Sequence, residues 1–424
     1  MGQTPTFSRY YLLFLFLLTC WQTSFSVDNA HFYRATFFFG EPRFEKNHLS
    51  SFDFIFGGGS TCKGLNCCSD ETCLLNIYGP TNALALGKGV KKDLTKIEDI
   101  ILHQLEALIP VDCFGQLLFK GQFNTFEAVF SWIQNIRKGF LFQAHIPIRN
   151  LRICGVSYCD LSPQDCTCPN VNYWWQAFLE KFDDILALHN LNRANVCNSG
   201  IGDVSLLVGW AKNYEDTDYI DFIDATFKLG AIVPTGALKN EDYIFSLPMG
   251  YNRHPAFTAS VDLSFGLYEW VTVGGHIDVN IFANKLKCMH VKTAADQCGI
   301  IKLAKDWVCY SKGNLLNFGL YFKADHISRG FSLILGYTLS DKQEDCIIPC
   351  DKTCIDCTIA NNDEMLKKWR MHTMHFIAEY DFTQEDWKFG PRASIFYNYV
   401  AGGKRIFKTG IGGGTVGLEV AWDL

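Results

Sequence analysis

The sequence predicts an all-β protein: an antiparallel transmembrane β-barrel of about 12–14 strands, with cysteine-rich loops at one end and short helices in the insertions. Three patterns predict it. Long stretches alternate with a strict period of two. The connections sort by length to opposite ends of the strands. No apolar run beyond the N-terminal segment approaches the ~18 residues of a membrane helix, so a membrane protein of this sequence would cross as a barrel.

The clearest alternation is the hairpin from Ala256 to Phe282. Phe257, Ala259, Val261, Leu263, Phe265 and Leu267 occupy one face, and Val271, Val273, Ile277, Val279 and Ile281 continue it. Thr258, Ser260, Asp262, Ser264, His276, Asp278 and Asn280 occupy the other. A period of two places each set on one side of a strand. An arm of about 11 residues, at roughly 3.3 Å each and tilted by about 40°, spans a ~30 Å bilayer core. The uncharged face is therefore expected to meet lipid, and the polar face a lumen.

In chain order, residues 1–26 read as a secretory signal: Arg9, an apolar core from Tyr11 to Thr19, and small residues before a cleavage point after Ser26. Residues 27–110 form an N-terminal segment. Phe32–Phe39, Phe52–Gly57 and Leu74–Tyr78 are its candidate strands. Leu94, Ile97, Ile101, Leu105 and Leu108 fall at helical spacing before Pro110, which predicts an amphipathic helix outside the bilayer. Residues 111–424 form the barrel. Alternation marks twelve strands, starting near residues 111, 126, 140, 204, 223, 257, 271, 316, 331, 374, 387 and 416. Two strands from the N-terminal segment would make fourteen. The insertion 150–200 carries a predicted helix from Tyr173 to Leu188, its apolar stripe being Trp174, Phe178, Phe182 and Ile185. Such a stripe is expected to pack on the barrel rim.

The turns at 135–139, 268–270, 326–329 and 383–386 and the connection 212–221 fall on one side. The connections 150–200, 235–255, 284–314, 341–370 and 400–409 fall on the other. Short turns at one end and long loops at the other follow the rule for membrane barrels, and a soluble sandwich has no reason to obey it.

Charge is sparse at 19% of residues and the net is −6, so no basic stripe suggests nucleic acid. Of 18 cysteines, Cys20 lies in the signal, which leaves an odd 17. Export permits disulfides, and Cys346, Cys350, Cys354 and Cys357 are expected to form them within one loop. No histidine near them completes a zinc site, so no metal is assigned. His276, Asp278 and Asn280 lack an identifiable serine nucleophile. No catalytic residue and no cofactor is assigned either. The lumen-facing candidates are Asp262, His276, Asp278, Lys323, Asp381, Lys388 and Arg392. A three-residue turn at 268–270 places Asp262 opposite His276, and a four-residue turn at 383–386 places Asp381 opposite Lys388. Directly opposed side chains lie close enough to interact, with Cβ atoms about 4.5–5.5 Å apart.

The segment Gly200-Ile201-Gly202-Asp203, a strand, and then Leu229-Gly230 through Val233-Pro234-Thr235-Gly236 resembles the outer-membrane barrel family grouped under phenol-degradation MetA-pathway proteins. That family is similar in turn to fatty-acid-transporter-type barrels. The resemblance covers roughly residues 200–424. It implies a bacterial outer-membrane channel for small molecules, with membrane lipid and an unidentified solute as partners, and it brings no catalytic residues. The amphipathic last strand also resembles the closing strand of such barrels, although they usually end in Phe and this chain ends in Leu424. The Pro-Thr-Gly has a structural reading too: proline stops a ladder and glycine permits a turn. A second functional class is an envelope protein whose cysteine-rich loops cross-link or bind partners.

Overall fold

The computed structural model describes residues 30–38, 49–108, 114–163, 169–215, 220–268, 270–351, 355–382 and 388–422. The signal region and Phe39 lie outside them. Twelve strands form the wall: β1 (Leu49–Thr61), β2 (Gln116–Arg137), β3 (Phe140–Asp160), β4 (Val204–Glu215), β5 (Phe222–Val233), β6 (Ala256–Leu267), β7 (Val271–Phe282), β8 (Leu315–Ser328), β9 (Phe331–Lys342), β10 (Trp369–Asp381), β11 (Phe389–Lys404) and β12 (Ile411–Ala421). Each pairs antiparallel with its chain neighbour, and β1 pairs with β12 from Leu49↔Ala421 to Gly58↔Gly412. The barrel is closed, which leaves no edge strand open.

The count of twelve comes about differently from the sequence reading. The stretches at 111–123 and 126–132 are one strand, β2, and the twelfth strand is β1, from before residue 111. One strand looked like two because its apolar face changes sides. Leu117, Phe119 and Phe123 are buried and point inward, whereas Phe126 and Phe130, on the opposite parity, are exposed outward. Above the membrane band the inner side is an apolar core; within the band the outer side meets lipid.

Phe257, Val261, Phe265, Val273, Ile277, Phe318 and Leu333 share the outer face, as the period requires, and Val261, Ile277 and Phe318 lie side by side in register. At the short-turn end, Phe140, Trp210, Tyr214, Tyr268, Trp270, Phe382, Phe389 and Trp422 are exposed together. Aromatic rings at one level of an apolar belt mark a membrane–water interface.

The long connections meet at the opposite end and build a cap with its own core. The helix α1 (Ile97–Glu106) packs against α2 (Pro169–Leu188), and His189 after α2 lies 3.4 Å from Asp99 of α1. Phe178, Phe182 and Ile185 are fully buried as the stripe requires. Trp174 is half-buried and packs against the same core, and Trp175 joins them fully buried; its indole N–H donates to Asp160 at 2.7 Å. The stripe thus sits in the cap core with Leu117, Phe119 and Phe245 rather than merely on the rim. Leu74–Asn76 is a single 3₁₀ turn, not a strand.

Residues 30–38 are not a strand either. They run inside the barrel, from the cap toward mid-lumen, where Phe38 meets the rings of His276, Tyr321 and His375. Phe37 packs on Phe396, Ile55, Val129 and Ile411. The recess exists because Gly57 and Gly413 have no side chains: a Cβ there would come within 3.1 and 2.8 Å of the Phe396 ring.

Candidate functional site

Two places gather chemistry: the lumen and a cavity at its capped mouth. In the lumen most of the polar candidates stand where the period puts them, and polar or charged side chains of neighbouring strands meet them. Asp262 lies directly across from His276, as the turn length predicts, and also contacts Lys228 at 3.2 Å from the neighbouring strand. Asp278 accepts from the Asn317 amide at 2.8 Å. Lys323 lies 2.8 Å from Asp325 and 3.3 Å from Glu379. Arg392 joins three strands: it contacts Asp53 of β1 and Glu419 of β12, each at 2.8 Å. Gly417 leaves the room for this, since a Cβ there would collide with both Asp53 and Arg392.

The opposition of Asp381 and Lys388 does not occur. Asp381 faces Arg392, and the Phe382 N–H donates to the Pro391 carbonyl. Strand β11 starts at Phe389, so the connection is longer than four residues and Lys388 lies before the ladder. The turn residues 383–387 lie outside the described set.

One buried ion cluster is not visible in the sequence. Glu127 is fully buried, held between Arg34 of the inner segment at 2.7 Å and Arg149 of β3 at 3.0 Å. Arg149 also meets His31 at 2.7 Å and donates to the Met249 carbonyl at 2.6 Å. A buried carboxylate between two guanidiniums is tolerable only because each charge is met at hydrogen-bond distance. His31 stacks on Tyr33, with ring centroids 4.8 Å apart. Only two backbone bonds tie the segment to the loops among the described residues, Ala35 N–H to Thr409 and Phe407 N–H to Phe32. Side chains hold it rather than a ladder.

The Gly-Ile-Gly-Asp and Pro-Thr-Gly motifs form a latch. Asp203 accepts from the backbone N–H groups of Gly236 and Tyr251, at 2.8 and 2.5 Å. The Thr235 hydroxyl donates to the Gly202 carbonyl at 2.6 Å and accepts from the Val204 N–H at 3.1 Å. The latch fixes the 234–255 loop, which carries one wall of the mouth cavity.

That cavity, of about 170 Å³, lies between residues 30–32 and the loops. Phe32, Leu75, Ile77, Phe245, Tyr251 and Phe407 give it apolar walls. Six cations line it (Lys239, Lys287, Lys312, Lys342, Lys367 and Arg405) against two carboxylates, Glu241 and Asp345. Six minus two is a formal excess of +4, in a chain whose net charge is −6. Glu241 is shared by Lys287 and, at 3.6 Å, Lys239; Asp345 pairs with Lys342. Arg405 pairs with Glu364 at 2.6 Å and Lys367 reaches Glu344 at 3.6 Å. No carboxylate among the described residues pairs with Lys312. Its ammonium instead lies 5.7 Å from the Tyr251 ring centroid and 5.5 Å from that of Phe282. Burial is the largest influence on Lys312 and brings its pKa down to about 8, against the opposing pull of Asp345. Burial likewise lowers His254 to about 4.

The predicted pairing of the four loop cysteines falls partly outside the described residues. Cys346, Cys350 and Cys357 are free thiols, as are the other described cysteines, while Cys354 lies outside the described residues. Cys346 and Cys350 sit four residues apart around one short extended strand, Cys346–Pro349, roughly 13 Å at strand rise, beyond disulfide reach. Among the described residues no cluster of His, Cys, Asp or Glu could hold a metal ion.

No protein-family model matches the chain. No curated protein matches it either. Among solved structures, an outer membrane channel from Pseudomonas putida F1 is similar at 10% identity, covering 90% of this chain and 98% of that one, with a TM-score of 0.43. The translocator domain of the autotransporter NalP from Neisseria meningitidis aligns at 10% identity over 89% and 90% of the two chains, with a TM-score of 0.33. The Pseudomonas putida toluene transporter TodX aligns at 10% identity over 89% and 90%, with a TM-score of 0.28. Likeness at this level carries no functional weight; the barrel rests on its own closed register and apolar belt.

Proposed function

We propose that the chain is a channel or transporter for small molecules in a bacterial outer membrane, with the long-loop cap facing outward. One observation carries the reading. A closed barrel with a polar lumen is occupied by a segment, residues 30–38, that side chains hold and that the wall does not incorporate. Shifting that segment opens the lumen without breaking a strand pair. The mouth cavity lies against the same segment, so a solute bound there touches the part that has to move. The chemistry gathered in the lumen is ion pairing, and we assign no catalytic role.

Planar-bilayer conductance tests the proposal. Deleting residues 27–38 is expected to raise single-channel conductance well above that of the full chain. If neither protein conducts any solute, the channel reading fails.

A further inference from the structure

The mouth cavity has a chemistry of its own. Its walls are apolar, its charge excess is positive, and one of its ammoniums, Lys312, lies against aromatic faces and is in no ion pair among the described residues. Lys312 is half-buried and forms no ion pair among the described residues, so its ammonium is within reach of an anion in the cavity. A neutral ligand would leave that charge unmet. A cation would add to the excess. An inorganic anion would answer the charge and waste the apolar wall. A cavity of about 150 Å³ lined by apolar side chains accommodates benzene, so the ~170 Å³ here suits a body of about one ring.

We propose that the cavity binds a small organic anion, an apolar body of about one ring or a short alkyl chain bearing a single carboxylate, with the carboxylate seated on Lys312. Tyr251 and Phe282 flank the ammonium, so the carboxylate completes a site whose aromatic half is already built. Phe32 forms part of the wall, so the bound body touches the inner segment. This deepens the transport reading by naming a solute class and rests on it for that meaning; the binding itself does not require passage.

The test uses the full chain in detergent micelles and isothermal titration with benzoate, benzyl alcohol and inorganic phosphate. Benzoate is expected to bind the wild type about tenfold or more tightly than either of the others, because a charge-assisted hydrogen bond and the apolar wall both contribute. Lys312→Gln is expected to weaken benzoate by about tenfold or more and to leave benzyl alcohol unchanged, while Lys312→Arg retains benzoate. Raising the pH of the wild type from about 7 to about 10 supplies a measurement that needs no variant. Asp345, Lys342, Lys287 and Asp203 face Lys312, and burial lowers Lys287 as well. Tyr310 and Tyr78 are raised and stay neutral through this range, and His31 and His254 are lowered and stay neutral too. Deprotonation of Lys312 is therefore expected to remove benzoate binding as the pH passes 8. Equal benzoate affinity in wild type and Lys312→Gln overturns the proposal. So does phosphate binding as tight as benzoate, affinity independent of pH, or no benzoate binding at all. A wild type that binds benzoate but never conducts keeps the site and defeats the channel reading alone.

Discussion

The wall and the cap spend the same residue types in opposite ways. In the wall, large apolar side chains stand outward: Leu335 is 53% exposed and belongs there because lipid surrounds it. In the cap, Phe182 and Leu117 are buried against other loops, and an outward Leu286, 58% exposed, meets water. Strand β2 passes through both regions and inverts its apolar face between them. Exposure alone therefore says little about this molecule; what lies beyond the exposed atom decides.

The comparison can be broken from the cap side. Phe182→Ala empties a fully buried ring site and is expected to destabilise the cap by about 3–5 kcal/mol. Limited proteolysis should then cut the loops around α2 while the barrel keeps its heat-dependent gel mobility. Simultaneous loss of both would mean that wall and cap fold as one unit. Between the regions, Glu127→Ala leaves two buried guanidiniums without the carboxylate between them and is expected to cost about 3–5 kcal/mol. Thermal unfolding in detergent measures it, and an unchanged midpoint would show that the inner segment is not anchored there.

Two matched substitutions sharpen the contrast. Leu335→Arg near the middle of β9 is expected to cost about 2–4 kcal/mol in a bilayer. Leu286→Arg, equally exposed on the cap, is expected to stay within about 0.5 kcal/mol. Urea titration of folding into lipid vesicles reads both, and equal costs would place the membrane band elsewhere.

The wall was legible because lipid imposes period two on every strand it touches, and the two stretches 256–267 and 271–282 display it without interruption. The Asp262–His276 opposition followed from a turn short enough to fix the register. Asp381 missed Lys388 because the length of its turn was not written in the alternation, and one changed residue count moves every partner. The inner segment reads as a strand because Phe32, Tyr33 and Phe37 have strand propensity, and no local pattern says that their partners are loops and lumen. The mouth cavity was illegible for a related reason. Its wall is collected from segments near residues 30, 75, 245, 310, 345 and 405, which only the closed fold brings together. The Asp203 latch stood between these cases: its residues drew notice as a motif, and their work is to hold a loop.

The inner segment also constrains the order of assembly. Phe38 lies at mid-lumen, while β1 begins at the far, short-turn end with Leu49, so the segment 30–38 is enclosed by a ring that the first and last strands complete. A finished ring cannot be threaded cheaply. Zippering of β1 onto β12 therefore comes late, around a strand of chain already in place. That last join links residues more than 350 positions apart, as in Leu49↔Ala421, and loop closure of that span makes it slow. Until it happens the nascent sheet has two open edges and an uncovered Arg34, a state in which the protein depends on whatever escorts it to the bilayer.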